Sequence, residues 1–395
     1  MTAKLSIRDL ALAGQRVLLR VDFNVPLAAG RVSDDTRIRA SLPSIEHARN
    51  HRARLTLCSH LGRPKGKRRP AMSLRPVAAR LSELLSAPVA FAEDCVGEQA
   101  EKKSQALGDG EMLLLENLRF HLEEEKNDEA FSHALARHGA LYVNDAFGSA
   151  HRAHASTVGV TCFVRSAAAG LLLEKELTYL GKAVANPDHP YVVILGGAKV
   201  SDKIELITNL LKLADVLLLG GGMAYTFLRA QGIPVGKSLL EEDKLELAAQ
   251  LLADARSRHV EVLLPLDHKV AEKIDPAARP QTVDSNSIPS DQMALDIGPR
   301  TLEVFLAAIQ QARTIVWNGP MGVFECPPFA EGTLGVARAV AASSATSIVG
   351  GGDSIAAIHQ AGVASGITHI STGGGASLEF LGGRELPGVE ALTDK

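Results

Sequence analysis

Short apolar runs recur along this chain, each followed by a stretch in which apolar residues fall three and four apart. In the first part the runs are RVLLRVDF (16–23), RLTLCS (54–59), EMLLLEN (111–117) and LYVND (141–145). In the second they are YVVILGG (191–197), VLLLGGG (216–222), EVLLPL (261–266), TIVWNGP (314–320), TSIVGGGD (346–353) and HISTGGG (369–375). Runs of Val, Ile and Leu without polar alternation predict strands buried on both faces, and helical patterns between them predict parallel pairing. The expected fold is α/β, with two doubly wound parallel-sheet domains. The helical stretch GLLLEKELTYLGKAVANP (170–187), stopped by Asn186-Pro187 and Pro190, is the expected interdomain helix. It separates a first domain over 1–169 from a second over 188–380. A helix in that position is a lever for hinge motion.

The second domain repeats one device. Its runs end in glycine-rich turns, GGAK, GGGMAY, NGPMGVFE, GGGDS and TGGGAS. In a parallel sheet such turns share the carboxyl edge, where ligands bind, and glycine lets backbone approach a phosphate closely. One turn of this kind would serve equally as a tight turn or a helix cap; five in one domain point to a nucleotide crevice. In VVILGGAKVSDK (192–203) a new helix is expected near Ser201-Asp202. Lys199 and Lys203 there oppose the positive end of the helix dipole unless an anion sits among them.

Composition narrows the classes. The chain has 395 residues, 46 % of them apolar, and a net charge of −3. It has no run of the ~20 apolar residues that crosses a bilayer, and its first residues lack the apolar block of a signal peptide. Four scattered cysteines (Cys58, Cys95, Cys162, Cys326) without a CxxC pair argue against disulfides and zinc and for a reducing cytosol. Residues 1–160 hold 23 Lys and Arg against 19 Asp and Glu, the remainder 19 against 26, and 17 of the 26 arginines lie in the first part. Arginine suits bidentate binding of carboxylate and phosphate, so the first domain is expected to take an anionic substrate. With aromatics at 4 %, nucleic acid lacks stacking platforms.

Two familiar nucleotide motifs fail. In the string Gly232–Ser238 three residues separate the glycines where the P-loop needs four, and Gln231 stands at the first glycine position. No GxGxxG follows a strand. There is no GxSxG elbow for a serine nucleophile. Asp353, after Gly351 and Gly352, reads either as a helix N-cap or as a carboxylate for Mg²⁺; Glu325 reads as a ribose ligand or a solvent-facing charge. In the first domain Arg20, Arg37, Arg63, Arg119 and Arg152, with Asp22, Asn24 and His60, fall near strand ends. Singly these are ordinary surface charges; together they suit a small substrate with more than one negative charge. The His151/His154 pair has no third ligand or glutamate to make a metal site. The loop GRPKGKRRP (62–70) and the run HLEEEKNDE (121–129) read as solvated.

These strings resemble the phosphoglycerate kinase family. RVDFNVP (20–26), DDTRI (34–38), SHLGRP (59–64), LENLRF (115–120), NDAFGSAHRAHAST (144–157), GGAKVSDKI (196–204), GGGMAYTFL (220–228), DIGP (296–299), WNGPMGVFE (317–325), GGGDS (350–354) and STGGGASLE (371–379) follow the family's order. The resemblance implies Rossmann-like domains with a deep cleft between them. It implies reversible transfer of a phosphoryl group from 1,3-bisphosphoglycerate to MgADP, giving 3-phosphoglycerate and ATP by in-line transfer with domain closure. Substrate would be held by Asp22, Phe23, Asn24, Arg37, His60, Leu61, Gly62, Arg63, Arg119 and Arg152. Nucleotide would be held by Gly197, Lys203, Glu325, Gly351, Gly352, Asp353 and Ser354, with Asp353 also on Mg²⁺. Catalytic roles would fall to Arg37, Lys199, Lys203, Gly352 and Gly375. The resemblance further implies a cytoplasmic monomer without nucleic-acid or membrane partners, and a carboxyl-terminal segment, 381–395, that completes the first domain. Ser354 stands where many members have threonine, and the hydroxyl is retained. A non-catalytic two-domain protein closing on a phosphorylated metabolite would share the hinge and the basic half. It leaves the glycine-lined edge unexplained.

Overall fold

The computed structural model describes residues 3–395, which divide into two compact units: 3–178 with 385–395, and 179–384. The division falls inside the helix Leu171–Ala185.

The strands of the first unit are β1 Arg16–Arg20, β2 Leu27–Ala28, β3 Arg31–Val32, β4 Arg54–Cys58, β5 Ala90–Phe91, β6 Met112–Leu114, β7 Leu141–Asn144 and β8 Ser166–Ala169. Six form one sheet in the order β5-β6-β4-β1-β7-β8, all parallel, while β2 and β3 make a small hairpin. Val17, Leu19, Leu55, Leu57, Leu114 and Val143 pack against Ile38 and Ile45 of the helix Thr36–Asn50 and against Val77 and Leu81 of Arg75–Leu85. Burial of these aliphatic side chains stabilises the unit by about 25 cal/mol per Å² of apolar surface.

The second unit holds β9 Tyr191–Leu195, β10 Val216–Leu219, β11 Glu261–Leu263, β12 Asp267–Ala271, β13 Gln281–Asp284, β14 Met293–Ile297, β15 Thr314–Asn318, β16 Thr346–Gly350 and β17 His369–Ile370. The parallel sheet runs β11-β10-β9-β15-β16-β17. Every residue of β9 and β15 is buried, as expected of strands covered on both faces.

All ten apolar runs form strands of the two parallel sheets. Sequence pattern missed β5 and β8, short edge or near-edge strands whose AF and SAAA carry little hydrophobic signal. It also missed the antiparallel sheet β13-β12-β14, whose β12 reads DHKVA and whose β13 is mostly exposed. The run 121–129 is a further correction: Glu124 is fully buried, and its carboxylate accepts the Ser156 N–H at 3.0 Å and the Ser156 hydroxyl at 2.6 Å.

Three helices are capped from a strand or strand end by a buried aspartate. Asp145 accepts the N–H groups of Leu172 (2.8 Å) and Leu173 (3.2 Å). Asp267 accepts those of Arg300 (3.1 Å) and Thr301 (2.9 Å) at the start of Pro299–Gln311. Asp296 accepts that of Gly332 (2.9 Å) in the first turn of Glu331–Ala342. Each satisfies amides that a helix start leaves without intrahelical partners. Among the described residues, no helix is long and apolar enough to cross a membrane.

Burial raises the Asp145 carboxyl to about 7, against the pull of the Ser44 hydroxyl and the Leu173 and Leu172 amides. A carboxyl whose folded pKa exceeds its unfolded ~3.9 binds more protons when folded, so its share of stability falls as pH rises from about 4 to about 7. Asp145→Asn keeps an acceptor for both amides and removes the titration. Its unfolding free energy, measured in urea, should therefore gain on the wild type across that window by a few kcal/mol at most. A difference that stays flat with pH would refute this role of Asp145.

Candidate active site

In the first unit the candidate side chains gather at the carboxyl ends of β1, β4, β6 and β7. Arg37, in the first turn of the helix Thr36–Asn50, donates to Asp22 Oδ2 at 2.8 Å. The Asn24 N–H donates to Asp22 Oδ1 (3.1 Å), and Asn24 Oδ1 accepts the Gly62 N–H (2.9 Å). Arg119, almost fully buried, donates to the Gly62 carbonyl at 2.9 Å and lies 3.3 Å from Glu125. Arg63 is exposed and Arg152 half-buried. The Phe23 and Leu61 side chains are buried. The Phe23 N–H is held by Ser59 Oγ (2.9 Å), and Asn117 grips Leu61 through both its N–H (3.1 Å) and its C=O (2.7 Å). These two residues, with Gly62 at φ +62°, shape the loops and present no side-chain group to a ligand.

Arg20 is not part of the open cationic surface. It is fully buried, donating to Ser156 Oγ at 2.9 Å, to the Val21 carbonyl and to His60 Nδ1 at 3.1 Å. Ser156 bridges it to the buried Glu124, so the positive charge has a counter-charge through one hydroxyl. Arginine can only donate, so His60 Nδ1 accepts and the ring proton resides on Nε2. Burial, then Arg20, Arg119 and Arg37, hold the His60 pKa well below its usual value. His60 is therefore a neutral donor through Nε2. His154 is likewise pushed down to about 4, chiefly by burial.

The second unit divides its glycine turns into two kinds. A Cβ on Gly196 would fall 2.0 Å from the Pro320 carbonyl oxygen, one on Gly319 2.2 Å from that of Gly196, and one on Gly221 2.6 Å from the Gly197 nitrogen. Glycine there allows three strand-end loops to interlock. By contrast, Cβ atoms on Gly352 and Gly375 would meet nothing within 4 Å. These two residues begin the helices Gly352–Ala361 and Gly375–Leu381, whose N-cap glycines supply no capping side chain.

The lysine turn differs from expectation. Ser201–Lys203 is a 3₁₀ turn, and the α-helix begins at Ile204. The Glu241 carboxylate accepts the N–H groups of Val200 (2.6 Å) and Ser201 (3.2 Å) and the Ser201 hydroxyl (2.6 Å). These amides are taken by Glu241, and the lysine side chains are what this turn offers an anion. Lys199 is exposed; Lys203 is half-buried and donates to Asn318 Oδ1. Burial lowers the Lys203 pKa, with Asp202 and Asp353 acting the other way. Ser354 is fully buried and its hydroxyl accepts the Gly319 N–H at 2.6 Å, so it ties two loops together.

Beside these turns lies a pocket of about 420 Å³, with Gly197, Pro320, Glu325 and Asp353 on its wall and Leu239, Ile274, Met293, Leu295 and Val323 as its apolar lining. Lys237 lines it too. Sequence reasoning missed this lining because it comes from separate loops and β14. One signal was available: Leu239 and Ile274 are large apolar residues in polar stretches, and they remain 49 % and 55 % exposed.

A model of the phosphoglycerate kinase family matches residues 7–384. The chain is 62 % identical to the phosphoglycerate kinase of Koribacter versatilis (strain Ellin345) and 60 % identical to that of Acidobacterium capsulatum, each over the full length of both chains. Among solved structures, the phosphoglycerate kinase from Coxiella burnetii matches with a TM-score of 0.91 at 41 % identity, covering 98 % of each chain. That from Pyrococcus horikoshii OT3 matches at 0.84 and 36 %, again over 98 % of each. The chain belongs to the phosphoglycerate kinase family. Its activity is that of the family, the phosphoglycerate kinase step of glycolysis, a phosphotransfer with a carboxyl group as acceptor.

The two kinds of glycine predict opposite behaviour. Gly319→Ala forces a Cβ against backbone at φ +99° and should destabilise the protein by roughly 2–4 kcal/mol in chemical unfolding. Gly352→Ala should stay within about 0.5 kcal/mol of wild type. Equal effects of the two would contradict the distinction.

Proposed function

We propose that 3-phosphoglycerate binds the first unit and the nucleotide the second, and that the site residues of each unit carry the transfer. The observation that carries this reading is the 420 Å³ pocket, apolar along one wall and bounded by Glu325 and Asp353. A purine suits the apolar wall, a ribose suits the Glu325 carboxylate, and phosphates suit the bare amide ends at Gly351–Ser354 and Gly375. Lys199 and Lys203 supply the positive charge; a Cβ on Gly197, which lines the pocket, would lie 3.8 Å from Lys203 Cε.

On the first unit, Arg63, Arg119 and Arg152 offer guanidinium groups to the carboxylate and phosphate of the glycerate. His60 contributes a neutral Nε2–H, and Asp22 and Asn24 accept from or donate to its hydroxyl end. Arg37 neutralises charge on the migrating group. Its bond to Asp22 keeps it aimed when no substrate is bound.

Phosphoryl transfer needs in-line approach and charge neutralisation on the equatorial oxygens, so the protein supplies position and electrostatics and no nucleophile. Exclusion of water from the reacting groups protects the acyl phosphate from hydrolysis. The exposed Asp353 carboxylate, at the start of an uncapped helix, is the hard oxygen ligand that Mg²⁺ on a nucleotide takes. The ion would offset charge on the nucleotide phosphates when bound. We further place the enzyme in the cytoplasm as a monomer, in keeping with the scattered cysteines and the lack of apolar heptads.

Arg37→Ala and Lys199→Ala should each lower kcat by at least about a hundredfold with an unchanged unfolding midpoint. Gly352→Ala, equally stable, should lower kcat/KM for ADP by about tenfold by placing a methyl where phosphate approaches. A coupled assay with ADP, Mg²⁺ and the acyl phosphate measures all three. Near-normal turnover in the first two variants would overturn the roles of Arg37 and Lys199.

A further inference from the structure

Away from the residues of the two ligand sites, three groups of metal-ligating type come together in the first unit. Asp94 and Cys95 lie in the loop that leaves β5, and His121 follows the 3₁₀ turn Leu118–Phe120 that β6 leads into. Because β5 and β6 are paired and parallel, both loops leave the same sheet edge. A carboxylate oxygen of Asp94, the Cys95 sulfur and a ring nitrogen of His121 all lie within 4.8 Å of one another, and His121 Nε2 is 2.7 Å from Asp94 Oδ1.

Further contacts, from backbone and from neighbouring side chains, hold the three residues. The Cys95 N–H donates to Asp94 Oδ1 at 2.7 Å, which fixes the carboxyl. The His121 ring packs on Phe131 with centroids 5.2 Å apart. The Cys95 carbonyl is bound at 3.0 Å by Nε2 of the buried His138, whose Nδ1 meets Ser104 Oγ at 2.9 Å. Such supporting contacts orient the ligands of metal sites. Cys95 is fully buried, whereas the Asp94 and His121 side chains are 45 % and 28 % exposed. The carboxylate and the imidazole are thus open to solvent, with the sulfur within 4.8 Å of both.

We propose that Asp94, Cys95 and His121 form a binding site for Zn²⁺. A thiolate, an imidazole and one carboxylate are a ligand set for a borderline-soft cation, and they exclude Mg²⁺, which takes oxygen ligands alone. With bonds of about 2.0–2.3 Å, tetrahedral ligand atoms lie roughly 3.3–3.8 Å apart. The site therefore forms by side-chain rotations of about an ångström: the Asp94–His121 hydrogen bond opens and the sulfur draws in. The protons of His121 Nε2 and of the Cys95 thiol pass to water on binding. Three protein ligands leave one position for water, unlike the closed four-ligand set of a structural site. Sequence spacing argued against zinc because the ligands come from two distant segments.

The full-length protein, freed of metal, should take up one Zn²⁺ per chain in competition with a chromophoric chelator, unaffected by excess Mg²⁺. Co²⁺ in its place should give a thiolate-to-metal charge-transfer band and the visible bands of a tetrahedral ion. His121→Gln should weaken binding by at least about tenfold, and Cys95→Ser should remove the charge-transfer band. Cys162→Ser, at an exposed cysteine, should change neither. His121→Gln replaces a partly exposed side chain, so it reports on the site even should Cys95→Ser misfold. No stoichiometric uptake, a cobalt spectrum without the thiolate band, or undiminished binding in His121→Gln would each overturn the proposal.

Discussion

A strand that leads into a helix must end by turning its chain away from its neighbours, and at that turn its amides lose their ladder partners. Every such end must be closed by something other than the sheet. Both units of this protein are arranged around that constraint. Asp145, Asp267 and Asp296 close three helix starts from inside the fold, and Glu241 closes the turn at Val200-Ser201 from a separate loop. Gly196, Gly221 and Gly319 close others by letting loops touch backbone to backbone.

The helices at Gly352 and Gly375 stand apart. Their N-cap residues are glycines, and nothing lies where a side chain on the first helical residue would project. A helix start that is left open keeps its dipole and its donors for a ligand. The ligand we propose for them is a nucleotide phosphate. The contrast between closed and open ends, more than the number of glycines, separates scaffold from site.

The sheets were legible because Val, Ile and Leu runs such as YVVIL state burial on both faces directly. Likewise, the motifs around Asp22, His60, Arg119 and Gly352 pointed to the candidate site through their resemblance to a family. What stayed hidden depends on pairing across distance. Arg20 reads like Arg37 or Arg63 in sequence, and only the positions of Ser156, His60 and Glu124 show that its charge is spent inside the protein. Glu124 reads as one of several solvated carboxylates for the same reason. Nothing in the sequence brings Glu241 to the amides of Val200 and Ser201. The apolar wall of Leu239 and Ile274 has no period to betray it.

The inward placement of Arg20 has a chemical consequence for its neighbours. A buried guanidinium beside an imidazole makes protonation of that ring costly, so His60 stays neutral and its one proton points away from Arg20. An anionic substrate would ordinarily draw a proton onto a nearby histidine. That response is suppressed at His60, and in the role we propose for it the histidine would act as a fixed dipole whose donor does not change with the charge of its partner. Preorganised donors of this kind need no reorganisation as charge moves during transfer. A reaction that shifts negative charge from acyl phosphate to carboxylate without proton transfer gains from such an environment, and it would gain nothing from a titrating base.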